Sequence, residues 1–369
     1  MNRILINREN IKKNLKALCK KASITPRQVM PVIKSDAYGH GLKESASVLA
    51  DMGVWGFAVS DVEEAYQIRD IGIDLPILML SGVFPGQEEA AVELKLTVGV
   101  HNLELLDSLN RVGAKRKKVV PIHIKVDTGM TRFGFSLNEL FSVVNKRAAW
   151  PFLEFEGLFS HLSSADNPSD QSVYLQIKKF QEILKRVKEM GWFPSCVHLA
   201  NSAASINFDE VVFDCIRPGL AIYGAYPGKA SRSLVELFPV MAFHSKIVAV
   251  RDVAANVPVG YSHTFSTRSP SKIAVIPVGY DNGYMRSGSN RAKVLVKGVR
   301  CPVVGNICMK SFMVDVSRVS GPSIGDDVVL LGSQGRDQIT IEEVASWAGT
   351  ISYELLCLLG TRNKRVYVE

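Results

Sequence analysis

Lys34 ends the short apolar run Val32-Ile33 and opens a polar, glycine-punctuated stretch, Ser35-Asp36-Ala37-Tyr38-Gly39-His40-Gly41. A lysine at the mouth of a buried strand is partly desolvated, which favours its neutral amine and suits it to form a Schiff base with a carbonyl compound. Tyr38, at the expected start of a helix, could donate to an anion held at that N-terminus. Other polar groups follow apolar runs in the same manner: Lys125, Asp127, Thr128 and Arg132; Ser160, His161 and Asp166; Asn201 and Ser202; and Arg217 in Arg-Pro-Gly. Taken singly, each has a plainer reading. Lys34 could snorkel at the surface, His161 could be a hydrogen-bonded core residue, Arg217 could pair with Asp214, and Lys125 with Asp127.

The elements that must carry these residues alternate between β-type and helical patterns from about residue 11 to 224. Strands are predicted at Val29–Ile33, Trp55–Val59, Pro76–Leu80, Leu96–Val100, Val119–Val126, Leu153–Phe159, Cys196–Leu199 and Cys215–Ile216. The clearest helix places Ile177, Phe180, Leu184 and Val187 on one face. Eight β-then-α units predict an α/β fold, a parallel (β/α)8 barrel of the TIM type, with a doubly wound open sheet as the alternative. In such a barrel all the strands end at one mouth, which would gather the polar groups there.

After Tyr223-Gly224 and the loop 227–233 the pattern turns to short strands broken by glycine and proline: Ser245–Val250, Lys272–Val278, Ala292–Val296, Phe312–Val316 and Asp327–Leu331, then a helix near Ile341–Trp347. The expected organisation is a barrel domain over 1–233 and a mainly β domain over 234–369. Ile4-Leu5-Ile6 is strand-like and a candidate to pair with the second domain.

With 369 residues and 47% hydrophobic content the chain can bury a large core. It has no apolar stretch near the roughly 20 residues of a bilayer span, and residues 1–7 lack the apolar centre of a secretory signal. A cytoplasmic protein without membrane contact is expected. The net charge of +8 raises the question of nucleic acid, yet the charge is dispersed. Its one tight basic run, residues 115–118, has no interleaved aromatics and reads as a solvated loop. Six scattered cysteines without a C-x-x-C pair read as buried free thiols, with no disulfide or metal site expected.

The decapeptide Val32–Gly41 closely resembles the pyridoxal-phosphate lysine segment of alanine racemases. Lys-Val-Asp-Thr-Gly-Met-Thr-Arg-Phe-Gly, Arg217-Pro218-Gly219 and Val257–Phe265 extend the resemblance over nearly the whole chain. It implies a racemase that interconverts L- and D-alanine, supplying D-alanine for peptidoglycan, with pyridoxal 5′-phosphate on Lys34. Tyr38 and Ser202, the amides of Gly219 and Leu220 and the hydroxyl of Tyr353 would hold the phosphate; Asn201 belongs to the same cofactor-binding set. His161 would pack on the pyridine ring and Arg217 would donate to its nitrogen. A guanidinium cannot pass a proton to that nitrogen, so the ring stays a weaker electron sink, which favours returning a proton to the α-carbon.

Racemisation also needs a base on the opposite face. By the same resemblance this is Tyr261 of the partner subunit, which makes the enzyme a homodimer with shared active sites. Tyr280 and Tyr353 would narrow the access to the site, and the Met309 amide and Arg132 would hold the substrate carboxylate. Lys125 would carry a carbamate that orients Arg132. A serine-preferring or broader racemase, a cofactor-binding barrel without catalysis and a decarboxylase are the alternatives.

One segment departs from the resemblance. Where the family reads Gly-Arg-x-x-Met-Asp, this chain has Gly305-Asn306-Ile307-Cys308-Met309-Lys310. Counted on the sequence, one positive and one negative charge become one positive charge. Asp166, without its usual arginine, is expected to turn to Arg286.

Overall fold

Six short parallel strands, in a computed structural model that describes residues 2–369, run in sequence order: Phe57–Val59, Ile77–Met79, Thr97–Val100, Val120–Lys125, Leu153–Phe159 and Cys196–His198. Helices cover them, and the first three strands are buried at every residue, as expected where a parallel sheet has no solvent face. The longest helix, Gln171–Glu189, is capped by Asp170 and buries Val173, Ile177, Phe180, Ile183 and Val187. Ile183, one residue before the expected Leu184, carries that face inward, and Leu184 is half-buried.

The expected first and eighth strands are present only as isolated bridges, Val29 with Ile216 and Val32 with Ala58. They still close the ring: Met30 N–H donates to Ile216 O at 2.9 Å, Ile33 N–H to Ala58 O at 3.0 Å and Arg217 N–H to Ala200 O at 2.8 Å. Pro31 and Pro218 explain the reduction, since each removes a ladder donor. The register between Val120–Lys125 and Leu153–Phe159 shifts after Ile122, where Phe155 and then Gly157 are the partners. Glu156 is left out of the pairing as a bulge residue.

The second unit is built on a sheet in which Arg365–Val368, Arg3–Asn7, Met241–Lys246, Asp327–Gln334, Lys293–Val296, Val299–Val304, Phe312–Asp315, Ser271–Ile276 and Ala249–Val253 lie side by side. Arg3–Asn7 pairs in parallel with Arg365–Val368 and antiparallel with Met241–Lys246. The expected strand Ser245–Val250 is two strands, Met241–Lys246 and Ala249–Val253. The helix Ile341–Ala348 is followed by a second one, Ser352–Arg362, which sequence reading missed. No helix is long and apolar enough to cross a membrane. All six cysteines are free; four are buried, while Cys308 and Cys357 are only partly so.

Candidate active site

Lys34 opens a turn that departs from the expected helix start. Ser35, Asp36, Ala37 and Tyr38 all have φ near +54°, giving one left-handed turn built without glycine. The helix proper starts at Leu42. Left-handed backbone costs L-residues about 1–2 kcal/mol each, so its surroundings must impose the turn. Glu64 accepts the Ser35 N–H at 2.5 Å, and Asp36 accepts the Leu42 N–H at 2.8 Å while pairing with Arg365 of the last strand. Buried His40 directs Nδ1 to the carbonyls of Ala37 (2.9 Å) and Tyr38 (3.0 Å) and stacks on Tyr223. Both carbonyls accept, so Nδ1 carries the proton.

Around the Lys34 amine the field is cationic. Burial, then the Arg132 guanidinium, lower its pKa. Burial, then Arg217, Arg132 and Lys34, bring the amine of buried Lys125 down to about 7. Lys125 Nζ donates to Leu80 O at 3.3 Å and lies over the rings of Phe133 and Phe159. The Asp127 carboxylate is taken up by the amides of Gly129, Met130 and Thr131, and no Lys125–Asp127 ion pair forms among the described residues. His161 is held well below its usual pKa by burial and then by Arg217, Lys125, Arg132 and Lys34. It stays a neutral imidazole amid cations.

Arg217 lies on the barrel floor, 2% exposed. Its guanidinium donates to Ser160 O at 2.7 Å, Leu199 O at 3.2 Å and the Nδ1 of His198. Burial lowers its pKa only to about 10, so it is charged at neutral pH. Asp214 accepts the Val197 N–H instead of pairing with Arg217. Neither structural pairing considered for Lys125 and Arg217 is therefore formed.

At the barrel's closing seam, Ser202 opens a short helix capped by Asn201, whose side chain accepts from Ala204 N–H at 3.0 Å. Ser202 Oγ accepts the N–H of Gly219 at 2.8 Å and of Ala221 at 3.3 Å. A Cβ on Gly219 would lie 2.4 Å from Tyr38 Oη; only a glycine lets the phenol approach this backbone. Leu220 begins the adjoining 3-10 turn, which does not use its N–H. Tyr353, at the start of the helix Ser352–Arg362, lies with its ring 6.1 Å from that of Tyr38. Its hydroxyl pKa is raised to about 12, chiefly by burial.

The remaining expected residues sit on the β unit. Tyr261 is 72% exposed, and its carbonyl accepts from Asn306 Nδ2 at 2.8 Å. Tyr280 N–H donates to Cys308 O and Asp281 N–H to Met309 O, both at 3.1 Å, which ties these two loops together. Lys310 pairs with Asp281. The net positive charge counted on the sequence is thereby neutralised locally. Asp166 and Arg286 form no ion pair within one chain among the described residues. Sequence reading overlooked Glu64, His123 and His198. Polar residues inside otherwise apolar strands were the available signal for the two histidines.

Lysines and arginines gathered at the C-terminal mouth of a (β/α)8 barrel, followed by a β unit, define a barrel enzyme with a cationic site. The family described as alanine racemase, N-terminal domain, matches residues 6–227, and its C-terminal domain matches residues 240–367. An alanine racemase of Syntrophobacter fumaroxidans is 39% identical over 91% of this chain and 89% of its own length. Alanine racemase 2 of Caldanaerobacter subterraneus subsp. tengcongensis is 35% identical over 99% and 94%. The solved alanine racemase from D-cycloserine-producing Streptomyces lavendulae superposes with a TM-score of 0.93 at 31% identity, covering 100% of this chain and 97% of that one. The chain belongs to the alanine racemase family, an isomerase family with a barrel and a β domain.

Proposed function

We propose that this protein interconverts L- and D-alanine with pyridoxal 5′-phosphate held at Lys34, by two bases on opposite faces of the substrate, Lys34 and Tyr261 of the partner subunit. The observation that carries the reading is the Tyr38–Gly219–Ser202 cradle beside Lys34, because a Cβ at Gly219 would fill it. The surrounding charges of Lys34, Arg132 and Arg217 suit a phosphate ester and a carboxylate.

When bound, the cofactor draws electrons from the substrate α-carbon and makes its C–H bond acidic. The protein does the rest. Tyr38, Ser202, the free amide of Leu220 and the Tyr353 hydroxyl would hold the phosphate, joined by the Gly219 amide once it turns from Ser202 Oγ, with Asn201 fixing the Ser202 helix. His161, kept neutral by burial and the surrounding cations, would pack against the pyridine ring. Arg217 would donate to the ring nitrogen without giving up its proton, which would leave the ring a weaker electron sink. The Lys34 amine, lowered in pKa by burial and by Arg132, removes or returns a proton on one face of the α-carbon. Tyr261 of the partner subunit does so on the other.

Arg132 and the Met309 amide hold the substrate carboxylate, and Tyr280 with Tyr353 restricts access. Lys125, with its amine near neutrality, reacts with carbon dioxide to form a carbamate and release a proton, which turns a repelling cation into a partner for Arg132. The active species is a homodimer acting in the cytoplasm, its subunits divided near residue 233 into barrel and β domains. Its product, D-alanine, serves peptidoglycan synthesis.

Incubation with L-alanine in deuterated water tests the reading. Loss of optical rotation with deuterium at the α-carbon is expected; absence of both exchange and racemisation overturns it.

A further inference from the structure

The bulge that leaves Glu156 unpaired does not stand alone. His123, fully buried on the adjacent strand, places Nε2 3.4 Å from the Glu156 carboxylate, within ion-pair distance, and this nitrogen makes no formed hydrogen bond. Its Nδ1 lies 2.7 Å from Nε2 of His198, whose Nδ1 meets the Arg217 guanidinium. Gly157, next to the bulge, is the residue that admits this line, since a Cβ there would lie 2.6 Å from the His123 ring. Ser195 takes up the Glu156 carbonyl through its N–H at 2.8 Å, which holds the bulge in place.

We propose that Glu156 and His123 are positioning residues that fix the tautomer of His198 and, through it, the orientation of Arg217 at the floor of the site. Arg217 can only donate, so His198 must offer it a lone pair at Nδ1 and carry its proton on Nε2. That proton points at His123 Nδ1, which must accept and therefore carries its own proton on Nε2. The last proton then has the Glu156 carboxylate, 3.4 Å away, as its nearest charged acceptor. Each step follows from the one before, and the carboxylate ends the series as an acceptor that cannot donate when ionised.

Without that terminus His123 is free to carry its proton on Nδ1. His198 would then be driven to the Nδ1–H form, placing a donor against a donor at Arg217. Both imidazoles are held neutral chiefly by burial, which keeps one proton per ring. The Arg217 charge, whose direct acceptors are all uncharged, thereby gains a distant counter-charge through two polarised rings.

The same residues include a second possible arrangement, because His123, Cys196 and His198 offer three ligand atoms within 4.8 Å of one another. Two nitrogens on one tetrahedral zinc ion lie about 3.3 Å apart; the 2.7 Å separation is that of a hydrogen bond. Burial also raises the Cys196 thiol to about 12, away from the thiolate that a metal needs.

The consequence for catalysis rests on the racemase reading, whereas the proton positions do not, so the two fail separately. Neutron diffraction from deuterium-exchanged crystals of the holoenzyme should show deuterium on Nε2 of both His123 and His198 and none on either Nδ1. Deuterium on His198 Nδ1, a doubly protonated ring, or a metal ion between the rings overturns the proposal. Glu156→Ala should lower kcat about tenfold with KM unchanged and populate Nδ1–H on His198, while Glu156→Gln, whose amide oxygen still accepts, should stay within about threefold of the parent. An unchanged kcat and unchanged tautomers in Glu156→Ala overturn it as well.

Discussion

A single methyl group on Gly219 would stand 2.4 Å from the phenolic oxygen of Tyr38. These two residues come from the first and eighth segments of the barrel, so their contact also reports on closure of the ring.

Gly219→Ala is therefore expected to push the phenol out of the cradle and weaken pyridoxal 5′-phosphate binding about tenfold, or about 1.4 kcal/mol. Titration of the apoprotein with the cofactor measures it. An unchanged Kd would show that the phenol takes no part in holding the phosphate.

Shared active sites make a quantitative prediction for mixed dimers. Lys34→Ala and Tyr261→Ala should each lower kcat by about 10³-fold or more as homodimers. Subunit exchange between them gives half heterodimers, each with one complete site, and about a quarter of the parent activity should return. No recovery in heterodimers shown to have formed would place both bases in one subunit.

Lys125 should leave a signature in stability. The folded protein releases its proton near pH 7, whereas the unfolded chain keeps it to about 10.5. Between these values the unfolded state binds more protons, so stability rises with pH across the window. Urea midpoints in buffer free of carbon dioxide should climb from pH 7 to 10 more steeply for the parent than for Lys125→Met. In the same residue, Lys125→Ala should lower activity at least about tenfold and recover in part with acetate; parallel urea curves and full activity would count against both roles.

Acid should act through the buried histidines. Burial holds His40 at about 4 and keeps His123, His161 and His198 below their usual value. The unfolded chain takes up these protons near pH 6.5 and the folded one does not, so stability falls as pH drops from about 6.5 towards 4. Replacing His40 by Leu should shallow that fall while lowering stability at pH 7, because the Ala37 and Tyr38 carbonyls lose their donor. An identical slope in the variant would contradict the assignment.

The altered loop at Asn306 and Lys310 bears on substrate range. Lys310 and Asp281 are both exposed, so Lys310→Ala should leave the urea midpoint essentially unchanged. It leaves the Asp281 carboxylate beside Tyr280 and Met309 with only Arg362 as a nearby cation and should raise kcat/KM for lysine relative to alanine by roughly threefold. A fixed ratio across alanine, serine and lysine would remove this loop from specificity.

Much of the barrel was legible because its strands are continuous apolar runs bounded by turns; Leu153–Phe159 is read to the residue. The first and eighth strands were overcalled, since a prolyl donor lost from a ladder does not alter hydrophobic pattern. Ser352–Arg362 escaped notice because its leucines crowd around much of the helix instead of forming a stripe. The charged residues at strand ends were visible as chemistry. The left-handed turn at Ser35–Tyr38 was not, because Glu64, Arg365 and His40 impose it from outside the segment. Nor could His123 and Glu156 be joined in advance, since the bulge that aims one at the other is a property of two paired strands.

The parallel pairing of Arg3–Asn7 with Arg365–Val368 means that the barrel is spliced into the sheet of its companion unit. During synthesis Arg3–Asn7 has no mate until Met241–Lys246 emerges, and its other neighbour, Arg365–Val368, comes later still. Assembly of that sheet thus waits on contacts of very long sequence separation, a slow step by nature. Because Arg365 on the late strand also grips Asp36, the turn that presents Lys34 gains this anchor only after 329 further residues have been made.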